Sequence, residues 1–415
     1  MNDTAYWIWL LRTLGPAAPI RDILAYFGSP QSLYEAGSME WRLSGIMTAK
    51  QVQALTKFSP SESGAVMKTC QENGWEIVTP SHICYPQSLL ELSNFPPVLF
   101  VWGDAEALTQ PVKLSMVGTR KATRYGARVA FLLAEALSQS GAVVVSGGAL
   151  GVDSASHEGA LSAGGKTIAV LGCGLGTDYL KDNAPLRARI AKNGAVISEF
   201  LPFSPASRTT FPLRNRIIAG LSLGTVVVEA GERSGSLITA RCALEQGRDV
   251  FAVPGDLITT AYTGGNKLIR DGAKPVFAPI DVLEEYLYLY PEDLKPKAAE
   301  KTFRELLLEH QGREEMVSPP PETKPPKAPQ KRKPKQKPQT AEPKQQEMAT
   351  SFAQPPSGIS PTAEQVFLAL ANGEKHIDDL CELLHLPVHQ VLPALTELEL
   401  FGCVQLSEGK KYKRL

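Results

Sequence analysis

The chain has 415 residues, 43 Lys+Arg balanced by 43 Asp+Glu, and 43% hydrophobic residues, which at roughly 100–200 residues per domain allows two to four domains with ordinary globular cores. No run of about 18 apolar residues occurs, so no transmembrane helix and no membrane partner are expected, and the start Met1-Asn2-Asp3-Thr4 makes a poor secretory signal. Six cysteines without a C-x-x-C pair and six histidines without H-E-x-x-H spacing argue against zinc, a disulfide framework or any other cofactor, and leave the cytosol as the expected compartment.

Residues 1–72 read as a helical module of the SAM or helix-hairpin-helix kind. Trp7, Leu10, Leu11 and Leu14 share one helical face; Ile20, Ile23, Leu24 and Phe27 share another. Gly15-Pro16 and Gly28-Ser29-Pro30 break the helices. Leu43 to Val52 looks like a small helix-turn-helix element.

Residues 73–290 change to a strand-loop-helix grammar. Trp75–Val78 and Val98–Val101 read as edge strands or a lead-in. Apolar strands follow at Leu114–Val117, Ala142–Val145, Thr167–Leu171, Ala195–Ile197, Thr225–Val228 and Val250–Val253. Helical stretches separate them at Tyr125–Gln139, Asp153–Ala163, Ala184–Lys192, Leu213–Leu221 and Leu237–Gln246. Such alternation predicts an α/β fold, an extended Rossmann-like parallel sheet covered on both faces. Between Pro111 and Pro279, 19 Lys+Arg stand against 12 Asp+Glu, a mild surplus compatible with a polyanionic partner.

Residues 291–357 are expected to be a Pro/Lys-rich linker, since 318–347 alone carries nine Pro and eight Lys/Arg. In 358–415, Ser360-Pro361 caps a first helix. Helices near Thr362–Ala371, Ile377–Leu384 and Val388–Phe401 and a terminal hairpin then predict a winged helix. Its third helix, Pro387 to Phe401, contains no Lys or Arg. Sequence-specific duplex reading is therefore not expected of it.

Ligands of an open parallel sheet bind at the carboxyl ends of its strands. Five such ends are rich in Gly, Ser and Arg: Gly118-Thr119-Arg120, Ser146-Gly147-Gly148 through Asp153, Gly172 to Gly176, Gly231 to Ser236, and Pro254-Gly255-Asp256. Glycine lets backbone amides approach an anion, and helix N-termini favour one. Tight turns are the plainer use of the same glycines. The segment Thr210–Gly220 sets Phe211, Arg214, Asn215 and Arg216 on one helix, where arginine forks suit phosphate and a Phe ring suits a base. The alternative is Phe211 as a hydrophobic staple, with the arginines paired to Glu199 or Glu229. The Gly172 cluster is a poor dinucleotide signal, and no Walker A motif is present.

Gly118-Thr119-Arg120, Ser146-Gly147-Gly148 to His157, Phe211–Arg216, Gly231–Thr239, Val253-Pro254-Gly255 and Gly264-Gly265-Asn266-Lys267-Leu268-Ile269 together resemble the DNA-processing protein family, DprA or Smf, across about residues 75–290. The resemblance implies a homodimer that binds and protects single-stranded DNA in natural transformation and helps load the RecA recombinase on it, without an established reaction. It implies that Arg120 binds a phosphate, that Ser146, Gly147 and Gly148 offer a hydroxyl and amides, and that Phe211, Arg214 and Asn215 line a base pocket. Gly118, Thr119, Arg216, Ser234 and Gly235 complete the expected site. Leu213 stands where many members have Lys, which implies either a lower affinity or compensation by Lys267. Asp153 is expected as an N-cap and His157 as a packed helix residue. Two other readings compete: a nucleotide-cleaving phosphoribohydrolase of the lysine-decarboxylase-like kind, with Glu232 as its acid, and a winged-helix regulator with the sheet as sensor.

Overall fold

Asn2 opens the fold: its side chain accepts the Thr4 amide at 3.2 Å and caps α1 (Asp3–Leu14). The computed structural model describes residues 2–316, 359–371, 373–400, 403–407 and 411–414. Gly15 and Gly28, with φ of +74° and +81°, end α1 and α2 (Ile20–Phe27) where the sequence places breaks. α3 (Pro30–Leu43) leads through a short turn to α4 (Ala49–Leu55), which starts with a Thr48–Gln51 capping box, and α5 (Gly64–Asn73) closes the helical region.

A nine-stranded sheet follows. In chain order it comprises β1 (Glu76–Val78), β2 (Leu99–Gly103), β3 (Lys113–Gly118), α6 (Arg124–Gln139), β4 (Val143–Ser146), α7 (Val152–Ser162), β5 (Thr167–Val170), α8 (Ala184–Asn193) and β6 (Ala195–Ser198). Then come α9 (Thr210–Leu221), β7 (Gly224–Glu229), α10 (Ser236–Glu245), β8 (Asp249–Ala252), α11 (Thr263–Arg270), β9 (Lys274–Pro275) and α12 (Ile280–Leu283). The spatial order is β1-β2-β6-β5-β4-β3-β7-β8-β9. The strands from β3 to β9 run parallel, whereas β2 pairs antiparallel with β6 and β1 antiparallel with β2. The sheet is thus parallel with an antiparallel margin. Of the two strands expected at the edge, only β1 lies there.

Both faces of the sheet are covered, as the continuous β-branched runs require. Val144, Val226 and Val228 join one core with Leu133, Leu137 and Phe251. Their neighbours Val143, Val145 and Val227 face the other, larger core. That larger core is continuous with the N-terminal helices, since Trp7, Trp9 and Ile23 belong to the same cluster as Leu89, Val98, Ile217 and Leu221. Polar ties reinforce the seam: the Arg21 amide donates to the Ser93 carbonyl at 3.0 Å and Ser81 Oγ to Asp3 at 2.8 Å.

The linker expected from residue 291 starts later. Residues Pro296–Met316 form α13, and Leu294, Ala299 and Phe303 pack into the core beside α6 with Leu133 and Leu137. The Lys295 amide also donates to the Ser140 carbonyl at 2.8 Å. Apolar burial on this helix outweighs its charged composition. The rest of the expected linker, 317–358, lies outside the described residues.

The chain divides into two compact units, Met1–Pro321 and Glu322–Leu415. The second holds α14 (Pro361–Ala369), β10 (Lys375–His376), α15 (Ile377–Leu384), α16 (Val388–Leu400), β11 (Val404–Ser407) and β12 (Lys411–Arg414), with sheet order β10-β12-β11. Three helices and this antiparallel sheet make a winged helix around Phe367, Leu380, Val391, Leu395 and Tyr412. Ser360 caps α14, accepting from the Ala363 amide at 3.2 Å. Among the described residues no helix is long and apolar enough to cross a membrane, and no disulfide joins the cysteines.

α6 and α7 pack tightly at Gly159, where an added Cβ would come 2.2 Å from the Phe131 carbonyl oxygen. Because that neighbour is backbone, Gly159→Ala should destabilise the first unit by about 1–3 kcal/mol, the range for overpacking. Urea unfolding followed by circular dichroism checks this, and an unchanged midpoint would contradict the packing described.

Candidate nucleic-acid interface

The chain leaves β3 on one side to build β4, β5 and β6, and returns on the other with β7, β8 and β9. The loops after β3 and β7 therefore diverge at a topological switch point, the place where an open α/β sheet takes its ligands. A pocket of about 340 Å³ opens there, between Gly118-Thr119-Arg120, the Phe211–Asn215 turn of α9 and the Ser234–Ser236 start of α10. Gly118 is required by close approach: a Cβ would stand 2.5 Å from Val152 Cγ2 and 2.9 Å from the Glu229 carbonyl oxygen. The Thr119 amide donates to that carbonyl at 2.8 Å, which fixes the loop.

Arg120 is exposed, and its guanidinium lies 4.7 Å from the centroid of the half-buried Phe211 ring. The ring edge rests on Gly172, where a Cβ would come within 2.8 Å of Cδ1. A second aromatic, Tyr179, sits 5.2 Å from Phe211 at a tilt of 46°. The pocket mouth thus combines a mobile-length cation with flat apolar surface, the pair that phosphate and base recognition use.

Arg214 and Asn215 follow Phe211 by three and four residues and share its helix face. Arg214 is only 5% exposed. Its Nη1 donates to the Gly147 carbonyl at 2.7 Å and to the Val170 carbonyl, and its Nε to Asn215 Oδ1 at 3.1 Å. The Asn215 amide continues the chain to the Gly235 carbonyl at 3.3 Å. Asp153 lies beside this guanidinium. Burial pushes its carboxyl up and the guanidinium down, and the charge of each opposes the shift of the other. Arg214 therefore ties the ends of β4 and β5 to α9. It does so through Nη1 and Nε, and it also lines the pocket.

Arg216 does not join the pocket. At about 100° per residue it lies about 200° around α9 from Arg214. Its Nη2 donates to Glu199 at 2.6 Å and to the Pro16 carbonyl at 2.9 Å, with the carboxylate fully buried. Burial pushes the Glu199 carboxyl up to about 7 against the pull of Arg216. Of the two acids considered as arginine partners, Glu199 takes Arg216. Glu229 instead accepts from the Thr123 hydroxyl at 2.6 Å and from the Tyr262 hydroxyl at 3.2 Å. Leu213 also faces away, toward a separate cavity of about 650 Å³ that Arg216 borders.

Several other expectations change. Ser146 is fully buried and its hydroxyl donates to the Met116 carbonyl at 2.7 Å, so it is not available to a ligand. Gly147 and Gly148 are buried too, their carbonyls held by Arg214 and by Asn183 at 3.1 Å. Gly151, not Asp153, caps α7; Asp153 is the second helical residue and accepts the Ala149 amide at 3.3 Å. His157 is packed as expected, bonded to Thr167 Oγ1 at 2.7 Å, and burial pulls its imidazole down to about 3. Lys267, in the last turn of α11, and Glu232 are exposed and neither lines the pocket. Ser234 and Gly235 do line it. Ile238 and Thr239, one helical turn further on, were missed. Tyr179, which packs on Phe211 from outside the lining, lies beyond the glycine spacing that ends at Gly176.

Residues 76–287 match the family model described as DNA recombination-mediator protein A, and residues 350–410 match the model of the DprA winged helix domain. Protein Smf of Escherichia coli is 37% identical over 285 residues, covering 68% of this chain and 75% of its own length. The chain belongs to the DprA/Smf family. The DNA processing protein DprA of Bacillus subtilis is 42% identical over 220 residues, covering 53% of this chain and 74% of that protein. The X-ray structure of DprA from Streptococcus pneumoniae superposes with a TM-score of 0.60 at 35% identity, covering 68% of this chain and 97% of that one. The matched span of this DprA/Smf chain contains the whole switch-point pocket.

The Arg216–Glu199 pair gives a clean test of its structural place. Arg216→Met leaves a buried carboxylate unpaired and should cost about 3–5 kcal/mol, the range for breaking one partner of a buried pair. Urea unfolding measures it; stability equal to the parent protein would show that the pair carries no such weight.

Proposed function

We propose that this chain binds single-stranded DNA across the carboxyl edge of its sheet, one base entering the switch-point pocket against Phe211 while Arg120 takes the adjoining phosphate. The observation that carries the reading is the exposed Arg120 guanidinium lying on the half-buried Phe211 ring at the pocket mouth. A pocket of about 340 Å³ suits one base rather than a duplex, and a ring face can stack only on a base already out of its helix. The open side of the pocket adds Thr119, Ser234 and the first turn of α10 as hydrogen-bonding partners and a favourable helix end. Its one acid, Asp153, is buried beside Arg214, so little repels a phosphate. Arg214, Asn215, Gly147 and Gly148 act as the frame of the site, and Lys267 as an outlying positive charge.

In the wider proposal the bound strand is protected and passed to the RecA recombinase during natural transformation, in the cytoplasm. The description of the matched family as a recombination mediator supports this. A homodimer fits the exposed apolar side chains Phe277, Tyr288 and Leu289. The protein acts by binding, not by turnover: Glu232, the acid a hydrolase would need, lies outside the pocket lining. The winged helix serves as a protein contact or tunes access to the pocket. The exposed side of α16 carries Val388, Leu392 and Glu399 rather than a basic reader's side chains.

Fluorescence anisotropy of a labelled oligothymidylate over a salt series tests the reading. Arg120→Ala should flatten the slope of log affinity against log salt by about 0.7, one single-strand phosphate, whereas Arg216→Met should leave it unchanged. Phe211→Leu should weaken binding by part of the roughly 1–3 kcal/mol that stacking on one ring is worth, without altering the slope. Parental slope in Arg120→Ala together with parental affinity in Phe211→Leu would remove the pocket from DNA binding. Nucleotide or strand hydrolysis that vanishes in Glu232→Gln would replace the proposal by an enzymatic one.

A further inference from the structure

Strand order fixes the sequence of groups along the carboxyl edge. The loop after β5 carries Tyr179, Phe211 rests between the ends of β5 and β3, Arg120 follows β3, and Ser234-Gly235 follow β7. From β5 through β4 and β3 to β7 are three strand steps, about 14 Å at about 4.8 Å each. That span exceeds the width of a single base, so a strand lying along the edge places more than one base on it. A strand whose base enters the pocket at Phe211 therefore has further bases to place on the β5 side, where Tyr179 stands outside the pocket lining.

Tyr179 is built into position rather than trailing from a loose loop. The Gly174 amide donates to the Ser204 carbonyl at 2.9 Å and the Gly176 amide to Pro202 at 2.8 Å. Thr177 Oγ1 donates to the Gly174 carbonyl at 2.8 Å, and Arg187 to the Leu180 carbonyl at 3.2 Å. Asn183, buried, anchors the far end through Gly148 and Ser154 at 3.1 and 3.0 Å. Directly after Tyr179 the backbone turns left-handed at Leu180, φ +48°, a conformation a branched side chain rarely adopts and one that needs support from its surroundings. The result is a half-buried phenol 5.2 Å from Phe211. Its hydroxyl has no hydrogen-bond partner among the described residues. The half-buried ring offers flat apolar surface beside the pocket, the feature that base stacking uses.

We infer that Tyr179 is a second stacking platform, taking the base next to the one held at Phe211. The inference rests on the single-strand reading of the pocket and extends it to a neighbouring subsite. Because stacking tolerates any base, the subsite adds affinity without sequence preference.

A labelled thymidine mononucleotide and labelled oligothymidylates of graded length, from a dinucleotide upward, test it on the full chain. Tyr179→Phe should bind within about twofold of the parent protein at every length. Tyr179→Leu should lose about fivefold or more on the dinucleotide and all longer strands, the lower end of what one stacked base is worth, and nothing on the mononucleotide. Its salt slope should not change, since no phosphate contact is lost. An equal loss at every length would mean that Tyr179 only props Phe211 and would overturn the subsite, as would no loss at any length while Phe211→Leu weakens binding. Failure of the parent protein to bind any strand, or parental affinity in Phe211→Leu, would instead remove the pocket reading itself. Should Tyr179→Leu fail to fold, photocrosslinking of the parent protein to an iodouracil-substituted strand decides: adducts on Tyr179 support the subsite, and adducts on Phe211 without Tyr179 overturn it.

Discussion

Helix α9 is fastened by two buried guanidinium groups that point in nearly opposite directions. Arg214 fastens it to the carboxyl ends of β4 and β5; Arg216 fastens it to Glu199 and, through the Pro16 carbonyl, to the N-terminal helices. A buried guanidinium keeps its charge, so every unmet donor is expensive and each arginine admits few geometries. Phe211, on the first turn of the same helix, inherits that rigidity. The aromatic surface at the pocket is thus positioned by buried charges, while Arg120 beside it is exposed.

This division of labour explains what could and could not be read from the sequence. Strands showed themselves within a residue or two, because runs such as Val143-Val144-Val145 and Thr225–Val228 have no other stable use between glycine-rich turns. The pocket's loops were legible for the same reason, since Gly118 and Gly172 are placed by close approach that only glycine permits. Arginine in a site motif carries no mark of whether it will face outward or inward. Helical spacing held the missing clue: Arg214 and Arg216 are two residues apart and cannot share a face, whereas Phe211, Arg214 and Asn215 can. Ser146 was misjudged because a hydroxyl at a strand end looks the same in sequence whether it meets a ligand or, as here, the Met116 carbonyl. α13 was missed because the proline-rich stretch after it dominated the composition, while its contacts rest on little more than Leu294, Ala299 and Phe303.

The buried polar groups around the pocket also form a connected frame. Asp153, Arg214, Asn215 and the Gly147 and Gly235 carbonyls link the loops after β4 and β7 through one helix. Low dielectric strengthens such links when every member is satisfied, and makes each costly when one is removed. Substitutions within the frame will therefore disturb the fold around the pocket as well as the pocket itself.

The core shared by the N-terminal helices and the sheet has a consequence for how the chain is made. Pro16 and Arg216, which meet across that seam, are 200 residues apart. At synthesis rates of about 5–20 residues per second, the partner of the first helices emerges about 10–40 s after they do. During that interval Trp7, Trp9 and Ile23 are covered by nearby parts of their cluster such as Leu33, Trp41, Leu55 and Phe95, while Ile217 and Leu221 are still to come. The helical region therefore gains its last tie to the sheet only after α9 is made.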